Sequence, residues 1–225
     1  MLISKKHNFI FVHVPKTGGS SIQKFLVQNL HWKEYIGIFE NDPHTEGKKK
    51  GMRKHMRACE IKKLIPNYES YIKIAVVRNP WDLVVSWYTY VKRLPIVNER
   101  STKGLDFSYF IKNMKEVWNG YGEPNNTTTG ITQWDYVSKN GKLIVDRILK
   151  YEELKQIGFH QAIKSEFRKY IKRKAEHAIW KPMHKMKTIN ASIRKSDYRT
   201  YYDEETKEIV TEAFKKDIEK FKYQY

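Results

Sequence analysis

An α/β fold is what this 225-residue sequence predicts: helices layered on a central, mostly parallel sheet, three layers in all. Short β-branched and aromatic runs at residues 9–14, 71–77 and 143–149 alternate with segments of helical period. The run at 71–77, Tyr-Ile-Lys-Ile-Ala-Val-Val, is almost continuously apolar, as a strand covered on both faces must be. Strands that alternate with helices require crossover connections, which are right-handed and make the strands parallel. There is no internal repeat and no composition break that would mark a linker, so the expectation is one domain over residues 1–225.

Residues 9–14, Phe-Ile-Phe-Val-His-Val, form the first strand and stop at Pro15. Ile22, Phe25, Leu26 and Leu30 then recur at helical spacing, which places a helix over 20–30 with Ser20 or Ser21 as its N-cap. The second strand, 71–77, leads to Asn79-Pro80, a cap followed by a first-turn proline. From there a helix runs to about Lys92, with Trp81, Val84, Val85, Tyr88 and Val91 on its apolar face. Residues 143–149 read as the third strand and pass through Tyr151-Glu152-Glu153-Leu154 into helical segments as far as about residue 174. In the closing helix Asp203 is the cap, Glu204 and Glu205 sit where the dipole favours them, and Ile209, Val210, Ala213, Phe214, Ile218 and Phe221 make the buried stripe. Between these units lie three less regular stretches: 42–57, densely basic; 120–130, rich in Asn and Thr; and 181–196.

Composition narrows the function. With 43 Lys plus Arg against 25 Asp plus Glu, the net charge is +18. At 40% hydrophobic and 14% aromatic residues the chain carries too much core-forming surface for a disordered basic tail. The charge therefore sits on a folded surface, which attracts nucleic acid, anionic lipid, nucleotides or acidic polysaccharides, and equally serves solubility. A single cysteine, Cys59, excludes an intramolecular disulfide and favours a reducing compartment. The run at 9–14 is too short for a signal sequence, and no apolar stretch approaches the roughly 18 residues of a membrane span. The expected setting is cytoplasmic, in which the Asn-x-Ser/Thr matches at Asn125, Asn126 and Asn190 mean little as glycosylation sites.

The most informative segment is Val14-Pro15-Lys16-Thr17-Gly18-Gly19-Ser20-Ser21, between the first strand and the first helix. Two glycines let the backbone approach an anion, the helix N-terminus directs N–H groups and partial positive charge at it, and a lysine and hydroxyls add donors. This P-loop-like strand-loop-helix site is not a Walker A loop, because Lys16 precedes the glycines. The plainer alternative is a Gly-containing strand-to-helix turn capped by serine. A second segment begins with Val77-Arg78-Asn79-Pro80 and reaches Ser86 two turns into its helix. In an open parallel sheet the strand C-termini share one edge, so Arg78 is expected on the rim that carries Lys16. Alone it would read as a surface or helix-capping arginine; paired with the first loop, and with Ser86 as a further donor, it makes a site for two phosphates.

Together these segments resemble the nucleotide-binding signatures of sulfotransferases that use 3′-phosphoadenosine 5′-phosphosulfate (PAPS), in the manner of the carbohydrate enzymes, including the heparan sulfate 2-O and 6-O sulfotransferases. A His before the loop, as at His13, is common among them. Weaker similarity continues through Val145-Asp146-Arg147, Tyr151-Glu152-Glu153-Leu154, Asn190-Ala191-Ser192 and Phe221-Lys222-Tyr223. The resemblance implies the sulfotransferase fold. It implies that Lys16, Thr17, Gly18, Gly19, Ser20 and Ser21 hold the 5′-phosphosulfate, and that Arg78 and Ser86 hold the 3′-phosphate. It further implies that adenosine 3′,5′-bisphosphate is the nucleotide product, that no metal is needed, and that the acceptor is a hydroxyl, with a sugar or glycan foremost.

Sulfuryl transfer needs a base for the acceptor proton, positive charge on the departing oxygen and in-line alignment. Lys16 suits the second task. For the first, His55 is the choice among eight histidines, because it follows the first helix and shortly precedes the Arg78 strand, a place similar to that of the catalytic histidine in the enzymes it resembles. His13 is the chief rival, although packing accounts for it more simply. His7, His31, His44, His160, His177 and His184 read mostly as surface residues. The basic run at 47–54 is either an acceptor-binding rim for an anionic glycan or a solvated loop. The basic stretch at 168–187, with Trp180 and His184, offers stacking for adenine or sugar or else plain helical surface. Two other functions compete. A nucleic-acid-binding protein is disfavoured because residues 47–57 interleave no aromatics with their charges, and a nucleotide-kinase-like phosphoryl transferase is disfavoured by the missing Walker A loop. The oligomeric state and the acceptor's identity have no signature in the sequence.

Overall fold

The computed structural model describes residues 1–29, 35–37, 53–93, 106–114, 132–170, 194–195 and 197–225. In chain order the strands are β1 (Leu2–Ser4), β2 (Phe9–Val12), β3 (Tyr35–Gly37), β4 (Ile72–Val77), β5 (Ser138–Lys139), β6 (Lys142–Leu143) and β7 (Arg147–Lys150). The helices are α1 (Gly19–Asn29), α2 (Ala58–Leu64), α3 (Pro80–Val91), α4 (Phe107–Lys112), α5 (Gln133–Val137), α6 (Tyr151–Ile157), α7 (Phe159–Arg168), α8 (Glu204–Ala213) and α9 (Lys215–Phe221). The main sheet has the order β3-β1-β2-β4-β7. Its working part is parallel, with Phe11 of β2 opposite Ile74 of β4 and Ala75 of β4 opposite Ile148 of β7. An antiparallel edge extends it, β1 pairing with both β2 and β3.

Three boundaries differ from the sequence expectation. Ser20 and Ser21 do not cap α1; they lie inside it, since Gly19 is already helical. The strand expected over 143–149 is two pieces: β6 closes a hairpin with β5 across Asn140 and Gly141, both at positive φ (51° and 73°) as a tight hairpin turn requires, and β7 joins the main sheet. The closing helix, expected unbroken, breaks at Phe214; the helical segments expected after Tyr151 are divided at Gly158, whose φ of 93° no helix accommodates.

The chain forms two compact units, Met1–Val77 with Asp135–Ile189 and Arg78–Trp134 with Asn190–Tyr225. In the first, Leu2, Phe9, Phe11, Ile74 and Val76 pack against Ile22, Phe25 and Leu26 of α1, Leu154 of α6, and Ile163 and Phe167 of α7. Phe167 meets the rings of Phe9 and Phe11 edge-on, at 5.2 and 6.3 Å. Ile10, Val12, Ala75 and Val77 alternate to the opposite face and are also fully buried, so the sheet is covered on both sides. Each of these side chains larger than alanine contributes about 1.5–3 kcal/mol by leaving water. Lys73 interrupts β4 without harm because Asp146 pairs with it at 3.0 Å and the Tyr68 ring lies 5.2 Å beneath its ammonium.

In the second unit α3 is buried around most of its circumference. Asn79 caps it as expected, accepting from the amides of Trp81 and Asp82, with Pro80 in the first turn. Tyr88 packs among Phe107, Phe110 and Tyr201. Asp203 caps α8 by accepting from the Thr206 amide at 2.8 Å.

Candidate active site

The loop between β2 and α1 is arched by two left-handed residues, Lys16 (φ 62°) and Gly18 (φ 80°). For Lys16 that conformation costs about 1–2 kcal/mol, strain of the kind that marks functional loops. The Thr17 hydroxyl braces the arch by donating to the Val14 carbonyl at 2.8 Å, and the amides of Ser21 and Ile22 both donate to the Gly18 carbonyl. Lys16, Gly18 and Ser20 are half-buried and reach the surface, whereas Thr17, Gly19 and Ser21 are buried. Gly19 lies flat against the His13 ring, where an added Cβ would stand 2.0 Å from Cδ2 and 2.2 Å from Nε2. A Cβ on Gly18 would meet Phe159 at 2.9 Å. The loop thus brings a half-buried lysine and a half-buried serine to the N-terminus of an eleven-residue helix, a set that can hold a tetrahedral anion.

Behind this loop stand two histidines. His13 extends the β2 face that carries Phe9 and Phe11 and is only 2% exposed, with Nδ1 3.0 Å from Gln23 Oε1 on α1. His55 packs on it, ring centroids 4.3 Å apart at 62°, and its Nδ1 lies 3.0 Å from the His13 carbonyl oxygen. A carbonyl only accepts, so Nδ1 carries the His55 proton and Nε2 keeps a lone pair. Burial, reinforced by the charges of the Met1 amino group, Lys54 and Lys16, lowers the His55 pKa to about 3 despite the bond to His13. Burial, with His55 next to it, also holds His13 well below the ordinary histidine range. Both rings are therefore neutral bases at neutral pH.

The segment carrying His55 is tied to α2 through Glu60, which accepts from Arg53 at 2.8 Å and from the Arg57 amide at 2.8 Å and guanidinium at 3.2 Å. Burial pushes Glu60 up, but the bonds from Arg57 outweigh it and the carboxyl ends below its usual range. Arg53 and Arg57 of the basic stretch are thus engaged within the fold. His7 and His160, expected at the surface, are half-buried, and His160 stands edge-on to Phe25 at 5.2 Å. His31, His44, His177, His184, Trp180, residues 47–52, 120–130 and 171–193 lie outside the described residues.

Arg78 and Ser86 belong to the second unit, and both are buried. Arg78 is not a surface arginine: its Nε donates to Asp82 Oδ2 at 2.7 Å, and the Arg194 Nη1 meets the other oxygen of Asp82 at 2.5 Å. Burial pushes Asp82 up, yet the two guanidiniums hold it below the usual carboxylate range. The Arg78 main chain is clamped as well, its amide donating to Gln133 Oε1 at 2.8 Å and its carbonyl accepting from Gln133 Nε2 at 2.7 Å. Sequence reasoning missed Asp82, Arg194 and Gln133. Only Asp82 had a local signal, its spacing of four from Arg78 on a helix.

Among the described residues, no group of three or more His, Cys, Asp or Glu side chains could hold a metal ion, and no helix is long and apolar enough to cross a membrane. A family model described as the sulfotransferase family matches residues 1–224. No curated protein sequence matches significantly. Among solved structures, the chain is similar to mouse sulfotransferase SULT7A1 complexed with PAP, at 17% identity over 96% of this chain and 86% of that one, with a TM-score of 0.45. It is also similar to a sulfotransferase from Alicyclobacillus acidocaldarius, at 15% identity over 94% and 92% of the two chains, with a TM-score of 0.48.

Proposed function

Because the chain belongs to the sulfotransferase family, we propose that it moves a sulfuryl group from PAPS to the hydroxyl of a sugar or glycan acceptor, all 225 residues serving as one functional domain. The observation that carries this reading is the pairing, within one unit, of the Lys16 arch with a neutral His55 whose Nε2 lone pair is unprotonated.

Residues 16–21 bind the 5′-phosphosulfate, and Arg78 with Ser86 binds the 3′-phosphate. The acceptor oxygen attacks sulfur while the bond between sulfur and the bridging oxygen of the 5′-phosphate breaks. The acceptor proton passes to His55 Nε2, and the electron pair stays on adenosine 3′,5′-bisphosphate, where Lys16 offsets its charge. With a pKa of about 3 His55 is by itself a weak base. Bound nucleotide weakens this positive field, since its negative charges oppose those of the Met1 amino group, Lys54 and Lys16, and so brings His55 nearer the range in which it takes a proton. His13, 2% exposed with its ring against Gly19, supports the loop and leaves the proton to His55. ATP lacks a 3′-phosphate and would leave the Arg78 site without its anion, which gives the nucleotide selectivity. Basic residues 47–54 draw in an anionic acceptor, and the single Cys59 fits a reducing, cytoplasmic setting.

The test is mass spectrometry of sugar acceptors incubated with PAPS, which should show a gain of roughly 80 Da per sulfuryl group moved in line. The H55A variant should bind nucleotide normally and lose at least ~100-fold in turnover; full activity would remove His55 as the base.

A further inference from the structure

We propose that Gln133 and Asp217 are positioning residues for nucleotide selectivity, acting through Arg78. This rests on the reading that Arg78 holds the 3′-phosphate.

Arg78 is fixed at two levels. Its side chain is held by Asp82, while its main chain is held by a side chain 55 residues away, Gln133, which supplies both an acceptor for the amide and a donor for the carbonyl. A primary amide does this as an added strand residue would, so the direction in which Arg78 leaves its backbone is set by where Gln133 stands. Gln133 is set in turn by Asp217, whose Oδ2 accepts from the Gln133 amide at 2.9 Å and whose Oδ1 accepts from the Trp134 amide at 2.8 Å. One carboxylate thereby grips the first two N–H groups of α5.

Asp217 is 0% exposed, on the buried face of α9 between Phe214 and Phe221. An apolar residue is the ordinary occupant of such a position, and burying a carboxylate there is costly unless every lone pair is used. Burial pushes its pKa up to about 6, against the bonds from Trp134, Gln133 and Thr132 that pull it down. A core that needed packing alone would not carry this cost. What the carboxylate adds is a fixed corner at 132–134 and, through it, a guanidinium aimed before the ligand arrives, which spares binding the entropy of ordering it.

The experiment is calorimetric titration of adenosine 3′,5′-bisphosphate and of AMP, which lacks the 3′-phosphate, into the wild type, Q133M, R78Q and the double variant. The proposal expects Q133M to weaken the bisphosphate about tenfold while AMP stays within about threefold, and expects Q133M to add no further loss once R78Q is present. A purely structural role would weaken both nucleotides alike and would persist in the R78Q background; either outcome, or unchanged bisphosphate affinity in Q133M, overturns the proposal. Should Q133M fail to fold, D217N, which keeps the side-chain shape, carries the same pair of titrations with the same expected pattern. R78Q serves as the internal control: if it leaves the ratio of the two affinities unchanged, the nucleotide reading itself fails. If R78Q abolishes the ratio while Q133M and D217N do not alter it, only the positioning role fails.

Discussion

Replacing Gly19 by alanine would set a Cβ 2.0 Å from His13 Cδ2, where ordinary contact begins at 3.4 Å, so the ring must retreat by about 1.4 Å. The ring has little room to do so. It is buried, tied to Gln23 at 3.0 Å and faced by His55 with centroids 4.3 Å apart. Overpacking of a filled core costs about 1–3 kcal/mol. Loss of the buried bond to Gln23 costs about 1–3 kcal/mol more, while alanine's better helix propensity returns at most about 1 kcal/mol. The net expectation is about 3 kcal/mol of lost stability, read by urea denaturation. H13A removes the obstructing ring, so the G19A/H13A protein should be more stable than the sum of the single variants predicts by about 2 kcal/mol. G19A as stable as the wild type, or strict additivity in the double variant, would refute the packing of loop on ring.

The same histidine pair governs the response to acid and to nucleotide. His55 should titrate near 3 in the free protein by histidine-detected NMR, and its pKa should rise when adenosine 3′,5′-bisphosphate binds; no change, or a fall, would contradict the role given to the charges of the Met1 amino group, Lys54 and Lys16. Because its folded pKa lies below the unfolded 6.5, the unfolded state binds the proton first, and stability is lost as pH falls from 6.5 towards about 3. The loss from His55 is up to about 5 kcal/mol at 1.36 kcal/mol per pH unit, and H55Q should show a shallower acid limb in denaturation curves. Asp217 works in the opposite sense: raised from 3.8 to about 6, it adds stability as pH falls through 6 towards 3.8, by about 3 kcal/mol. D217N should lack that gain, and an unaltered pH profile would show the Asp217 shift to be absent.

How much of this was legible in the chain follows from the range of the interactions. The strand, loop and helix over residues 9–30 could be read because a short β-branched and aromatic run gives way to a period of 3.6 across Pro15-Lys16-Thr17-Gly18-Gly19. Asn79-Pro80 and Asp203 announced their helices, since capping is local. β1 and β3 could not be read, because three residues are too few to display alternation. Asn140-Gly141 is a hairpin signal that lay within reach of the sequence, yet the apolar run beside it drew the reading to a single longer strand. At the site, Lys16 and Gly18 declared themselves by type and order, but the reason for glycine at 19 lies in a ring six residues earlier, visible only once the strand and helix are packed. Gln133 and Asp217 reach their partners across 55 and 84 residues. The one trace of them is an aspartate standing in the buried stripe of Val210, Phe214 and Phe221.

In the proposed site the nucleotide is recognised by its 3′-phosphate. Calorimetric titration of the wild-type protein with adenosine 3′,5′-bisphosphate and with ATP tests it directly. Loss of a charge-assisted bidentate partner is worth about 100-fold in affinity, so the bisphosphate should bind at least that much more tightly; comparable affinities for the two would contradict the account.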